Sequence, residues 1–164
     1  MRHIPYSRQT IDDSDIRAVT ETLTNDFLTQ APQITAFEEA LKRYLNVKDA
    51  ILVSNGTAAL HLSYLALNLQ GSTVFTTPIT FAASANCVLY VGATPVFADI
   101  DEKTYNILPE SIEERITEKT KAVIAVDFTG QAVDLKRIRE ICDRHHLYLI
   151  EDAAHSIGTL YDGV

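Results

Sequence analysis

Residues 122–152 read AVIAVDFTGQAVDLKRIREICDRHHLYLIED, and this stretch decides the fold. Ala122 to Val126 is a short, wholly apolar run, and Leu147 to Ile150 is another. Between them, Asp134 to His145 sets Leu135, Ile138 and Ile141 on one side of a helix and charged residues on the other. A buried strand, an amphipathic helix and a second buried strand make a βαβ unit in a parallel sheet covered on both faces. The alternation continues upstream. Apolar runs at Ala50 to Val53, Thr73 to Thr76 and Pro95 to Ala98 are separated by helical segments at Thr57 to Leu69, Phe81 to Val91 and Pro109 to Thr117. The first of these helices, TAALHLSYLALNL, is apolar nearly all round, which predicts that it is buried.

Two more helices are expected ahead of the first strand. Asp12-Asp13-Ser14-Asp15 supplies capping acids for a helix over 12–24, with Ile16, Val19 and Leu23 along one face. Thr35-Ala36-Phe37-Glu38 has the spacing of a capping box and opens a second helix that ends near Asn46, with Phe37, Leu41 and Leu45 inward. The expected fold is therefore an open, three-layer α/β unit with a mostly parallel sheet, preceded by an N-terminal arm.

Composition narrows the function. The 164 residues carry 14 Lys+Arg against 22 Asp+Glu, a net charge of -8, and no local basic cluster, which excludes a nucleic-acid partner. Cys87 and Cys142 lie alone in apolar surroundings without metal-ligand spacing, so they read as reduced core thiols, with no disulfide and no metal site. The N-terminus has no signal-like apolar segment and every apolar run is too short to span a bilayer, which predicts a cytoplasmic protein with no membrane partner. The last residues, Leu160 to Val164, are turn-like and look as though a strand should follow, so the chain is expected to be incomplete.

In open α/β sheets ligands bind beyond the carboxyl ends of the strands. There, Asn55-Gly56-Thr57 joins a strand to a helix start, where free N–H groups and the helix dipole favour phosphate. A tight turn with Thr57 as N-cap is the plainer alternative. No P-loop and no GxGxxG is present, so any phosphate belongs to another kind of ligand. Asp152 ends a buried strand and needs a cation or several donors; a turn cap or a structural Arg would serve equally. His155 is by default a hydrogen-bonded structural residue, and Phe81, which opens a helix, is by default core, yet it stands where it could stack on a flat ligand. A phosphate cradle, an aromatic plate and a carboxylate for a ring cation together describe pyridoxal 5'-phosphate (PLP).

The segments SNGTAALHL, TTPITFAASANCVLYVGATPVFADID and IEDAAHSIGTLYDG resemble the N-terminal half of the large domain in the DegT/DnrJ/EryC1/StrS sugar-nucleotide aminotransferases. The resemblance implies a PLP-dependent, fold type I (aspartate-aminotransferase) large domain, here incomplete: residues 1–34 are the arm and first helix, 35–164 the start of the PLP domain, and a small C-terminal domain is absent. It implies that Gly56, Thr57 and Ala58 hold the cofactor phosphate, that Phe81 stacks on the ring, that Asp152 keeps the ring nitrogen protonated, and that His155 bonds the ring hydroxyl. Asp152 and His155 are thereby the expected catalytic residues. Tyr6-Ser7, Phe27-Leu28-Thr29-Gln30, Thr77-Pro78-Ile79-Thr80-Phe81 and Val126-Asp127-Phe128-Thr129-Gly130 look most similar to the members that make UDP-4-amino-4,6-dideoxy-N-acetyl-beta-L-altrosamine for pseudaminic acid. That likeness places Tyr6, Asp26, Phe27, Leu28, Thr29 and Gly56 near a UDP-sugar, with L-glutamate as amino donor and a homodimer in full-length form. The family's Schiff-base lysine lies downstream of Val164, so the chain by itself is expected to be inactive. A truncated domain acting only in binding or dimerisation, or an aminotransferase for another keto-sugar nucleotide, are the alternatives.

Overall fold

A computed structural model describes residues 8–25 and 27–163. The chain divides into two compact units, residues 1–52 and 53–164.

The first unit contains α1 (Asp13–Leu23) and α2 (Pro32–Leu45). Asp12 caps α1 as the acids predict: its side chain accepts from the Ser14 and Asp15 N–H groups, and Asp15 returns a bond to the Asp12 N–H. α2 departs from expectation. It starts three residues before Thr35, with Pro32 in its first turn, where the missing N–H costs no helical bond. Glu38 is therefore no capping partner; its Oε1 instead accepts from the Leu52 N–H at 2.9 Å. Phe37 and Leu45 are exposed rather than inward. The expected strand at Ala50 to Val53 does not form, and Ile51 is exposed. An apolar run becomes a strand only with a ladder partner, and this one has none among the described residues.

The second unit runs α3 (Gly56–Ala66), β1 (Thr73–Thr76), α4 (Ala83–Tyr90), β2 (Thr94–Phe97), α5 (Pro109–Glu113), β3 (Thr120–Val126), α6 (Leu135–Arg144) and β4 (Tyr148–Asp152). All four strands are parallel, in the order β2-β1-β3-β4. Side chains alternate across the sheet. Val74, Ala122, Ile124 and Val126 pack with Leu60, Tyr64, Cys87 and Val88 of α3 and α4. Phe75, Val123 and Ala125 pack on the opposite face with Ile112, Ile138, Ile141 and Cys142 of α5 and α6. Each fully buried aliphatic side chain contributes about 1.5–3 kcal/mol. Both cysteines are buried free thiols, as expected. α3 is only half-buried: Leu60 and Tyr64 face the core, whereas Leu62 and Leu65 are exposed. Phe81 precedes α4 instead of opening it. Among the described residues no helix is long and apolar enough to cross a membrane.

This strand order creates the site. From β1 the chain crosses to β2 on one side, then returns past β1 to β3 on the other. Such a reversal leaves a crevice beyond the carboxyl ends of β1 and β3.

Candidate active site

Four segments meet at that crevice. Thr77 to Phe81 follows β1, Asp127 to Gly130 follows β3, Asp152 closes β4, and Ala153 to Thr159 turns away from it. Thr80, Phe81, Asp127, Asp152, Ala154 and His155 are among the residues lining a recess of about 60 Å3. A larger open groove of about 570 Å3 lies elsewhere, over Asp101, Glu110, Asp134 and Arg137. Its three carboxylates do not suit a phosphate, and none of the expected cofactor residues borders it.

The strand register sorts two neighbouring acids. Val126 pairs with Asp152 and Ala125 with Glu151, so Asp152 shares the α3/α4 face and Glu151 the α5/α6 face. On its face, Asp152 Oδ2 accepts from the Ser84 hydroxyl at 3.1 Å, and Oδ1 has only a long contact, 3.4 Å, from the Ala154 N–H. No Lys or Arg among the described residues pairs with it. A half-buried carboxylate at a strand end thus retains an oxygen able to accept from a ligand. On the other face, burial and the adjacent Asp127 carboxyl push Glu151 up to about 7.

Phe81 is 77% exposed, which overturns its default as a core residue and leaves a bare aromatic ring at the crevice mouth. His155 is exposed, and among the described residues its ring has no hydrogen-bond partner. It is not the satisfied structural histidine of the default reading.

The turn beneath His155 is fastened by side chains. Asp127, only 2% exposed, accepts from the Val133 N–H at 3.0 Å through Oδ1 and from the Ser156 hydroxyl at 2.7 Å through Oδ2. The Thr159 hydroxyl donates to the Gly130 carbonyl at 3.0 Å. Gly130 has φ +90°, and a Cβ there would stand 2.9 Å from the His155 carbonyl oxygen. Gly130→Ala is therefore expected to cost about 2 kcal/mol, from backbone strain plus displacement of the His155 turn, seen as a lowered thermal midpoint.

At the start of α3, Asn55 rather than Thr57 is the N-cap, accepting from the Ala58 N–H at 2.9 Å. That bond occupies the Ala58 N–H. The Gly56 and Thr57 N–H groups have no protein acceptor among the described residues, and the space a Gly56 Cβ would enter is open. The Cys87 thiol, midway along α4, donates to the Thr57 carbonyl at 3.5 Å, tying the start of α3 to the middle of α4. Phe81, Asp152 and His155 thus share one recess, whereas Gly56, Thr57 and Ala58 do not line it; the start of α3 is joined to α4 through the Cys87 contact. Phe27, Leu28 and Thr29 are exposed in the first unit, while Tyr6 and Asp26 lie outside the described residues. Thr80, Asp127 and Ser156 lie in the segments just beyond the strands where the sequence places a ligand, but no role was expected of them, and Ser84, inside α4, carried no signal.

The model of the DegT/DnrJ/EryC1/StrS aminotransferase family matches residues 9–164. The chain belongs to that family. A DegT/DnrJ/EryC1/StrS-type chain with this arrangement has well-defined relatives. It is 40% identical over 161 residues to a UDP-4-amino-4,6-dideoxy-N-acetyl-beta-L-altrosamine transaminase of Campylobacter jejuni, covering 96% of this chain and 43% of that one. Helicobacter pylori PseC, an aminotransferase of pseudaminic acid biosynthesis, superposes with a TM-score of 0.91 at 36% identity, over 98% of this chain and 44% of that one. NtdA of Bacillus subtilis, solved with bound cofactor PMP, superposes with a TM-score of 0.83 at 36% identity, over 90% of this chain and 35% of that one. The chain spans about two-fifths of the length of the curated relatives it matches. The α/β architecture is thus that of part of the fold type I large domain of PLP aminotransferases.

Proposed function

We propose that the crevice holds PLP and that the chain forms the N-terminal part, residues 35–164 with a preceding arm, of a sugar-nucleotide aminotransferase. The single observation that carries this reading is the conjunction of exposed Phe81 with Asp152, a carboxylate with no basic partner among the described residues, in one recess. At about 60 Å3 the recess is small beside ligand pockets of several hundred Å3, so it excludes a bulky ligand and can take no more than part of a flat ring. Bound there, PLP supplies an electron-poor pyridinium ring able to carry an amino group between donor and acceptor.

The chain's own residues divide the work. The Gly56 and Thr57 N–H groups and the Thr57 hydroxyl bind the phosphate at the positive end of α3. Asp152 Oδ1 holds the proton on the ring nitrogen, and Phe81 covers the ring and excludes water from that side. His155 donates to or accepts from the ring hydroxyl. Because Asn55 takes the Ala58 N–H, Ala58 contributes by packing only.

We further propose L-glutamate as donor and a cytoplasmic, full-length homodimer, and the likeness to a UDP-4-amino-4,6-dideoxy-N-acetyl-beta-L-altrosamine transaminase supports a UDP-linked 4-keto-6-deoxy sugar as acceptor. Tyr6, Asp26 to Thr29 and Gly56 would contact the sugar nucleotide. None of the six lysines lines the recess. The 164-residue chain should therefore bind PLP weakly and reversibly, without turnover. Incubation with PLP, borohydride reduction and mass spectrometry test this together with a direct PLP titration. Saturable binding weakened by Phe81→Ala, with no stoichiometric lysine adduct, is expected. A stoichiometric adduct on one lysine, or binding indifferent to Phe81, would contradict it.

A further inference from the structure

Ser84 has no role in the account so far, yet it is fully buried in the first turn of α4 and touches three elements. Its Oγ lies 3.1 Å from Asp152 Oδ2 and 3.0 Å from the Thr80 hydroxyl, and its carbonyl accepts from the Tyr64 hydroxyl of α3 at 3.3 Å. The direction of this chain is fixed at one end. An ionised carboxylate can only accept, so Ser84 must donate to Asp152, and the freed lone pairs of Ser84 then accept from Thr80. A carboxylate at the end of a two-hydroxyl chain receives a charge-assisted and polarised bond.

The surroundings make that bond matter. The other contact to the Asp152 carboxylate is the 3.4 Å one from Ala154, and no basic side chain among the described residues lies within ion-pair distance. The titratable groups near it from the packed helices are Tyr64 and Cys87, both pushed upward by burial and so kept neutral. Asp127 and His155 line the same recess, while Glu151 projects to the opposite face. The first turn of α4 adds the positive end of a short helix dipole on the Ser84 side.

Resting on the cofactor reading above, we propose that Ser84 is a positioning residue: its hydroxyl, supported by Thr80, holds the Asp152 carboxylate fixed through Oδ2, leaving Oδ1 to accept from the protonated ring nitrogen. The hydroxyl pair thus acts on the cofactor without touching it. Ser84 differs in this from a packing residue, because removing its oxygen should change the acidity of Asp152 and not merely the stability of the core.

The test follows the Asp152 carboxyl carbon by NMR against pH in the 164-residue chain without PLP, and measures PLP affinity in parallel. Ser84→Ala is expected to raise the Asp152 midpoint by about one pH unit and to weaken PLP binding about tenfold, the size of one hydrogen bond to a charged group. Thr80→Val, outside α4, should move the midpoint the same way by less, and Ser84→Thr should titrate as the wild type. An unchanged midpoint in Ser84→Ala overturns the proposal; should that variant not fold, an unchanged midpoint in Thr80→Val does so. Failure of the wild-type chain to bind PLP would overturn the cofactor reading instead, and the carboxyl titration would still decide whether Ser84 controls Asp152.

Discussion

Asp152→Asn is expected to lower the amination rate of a full-length enzyme carrying this segment by about a thousandfold or more, the scale of losing a preorganised electrostatic contact in a water-poor site. The substitution keeps the shape. An amide oxygen still accepts from Ser84 Oγ, which donates to Asp152 Oδ2 at 3.1 Å in the wild type, so the fold should survive with little change in thermal midpoint. What is lost is the charge. A neutral amide does not favour a proton on the ring nitrogen, and an unprotonated ring is a poor electron acceptor. Steady-state amination of a UDP-linked keto sugar with glutamate as donor, beside a melting curve, separates the two effects. A rate within tenfold of wild type would show that the ring is activated by another group.

The second large effect is on stability. Asp127→Ala should destabilise the chain by about 3 kcal/mol, because two donors, the Val133 N–H and the Ser156 hydroxyl, are left without their buried acceptor. For a chain of this size that corresponds to a fall of about 10 °C in the thermal midpoint, checked by calorimetry. Asp127→Asn, which retains one acceptor oxygen, should lose less. A pH signature accompanies this. Glu151 is raised from an ordinary 4.5 to about 7, first by partial desolvation and then by the adjacent Asp127 carboxyl. The folded state therefore binds a proton more readily than the unfolded chain. The contribution is fully present below about 4.5 and is lost as pH rises through about 7. Glu151→Gln should flatten that part of the stability profile, and partial exposure of Glu151 to water keeps the effect modest.

The sheet was legible because its strands are short apolar runs bounded by turn residues, and β1 was found with its ends correct. The pattern failed where packing rather than periodicity decides. Ala50 to Val53 has the composition of a strand but no ladder partner among the described residues, and Phe37 and Leu45 have helical spacing yet are exposed. Asp152, Phe81 and His155 could be singled out because each stands just beyond a strand, where an open α/β sheet binds ligands. Asp127 stands just beyond β3 in the same way, but an aspartate in a turn has an ordinary structural use, and Ser84 lies inside a helix, so neither was given a role. Only the β3–β4 register, Val126 opposite Asp152, shows which hydroxyl meets which carboxylate.

The central claim is that Asp152 meets a protonated pyridine nitrogen. PLP labelled with 15N in its ring, bound to the 164-residue chain, reports that proton directly through the nitrogen chemical shift. A pyridinium shift at neutral pH is expected in the wild type and a neutral-pyridine shift in Asp152→Asn. A neutral ring nitrogen in the wild-type complex, or a pyridinium that survives loss of the Asp152 charge, would contradict that claim.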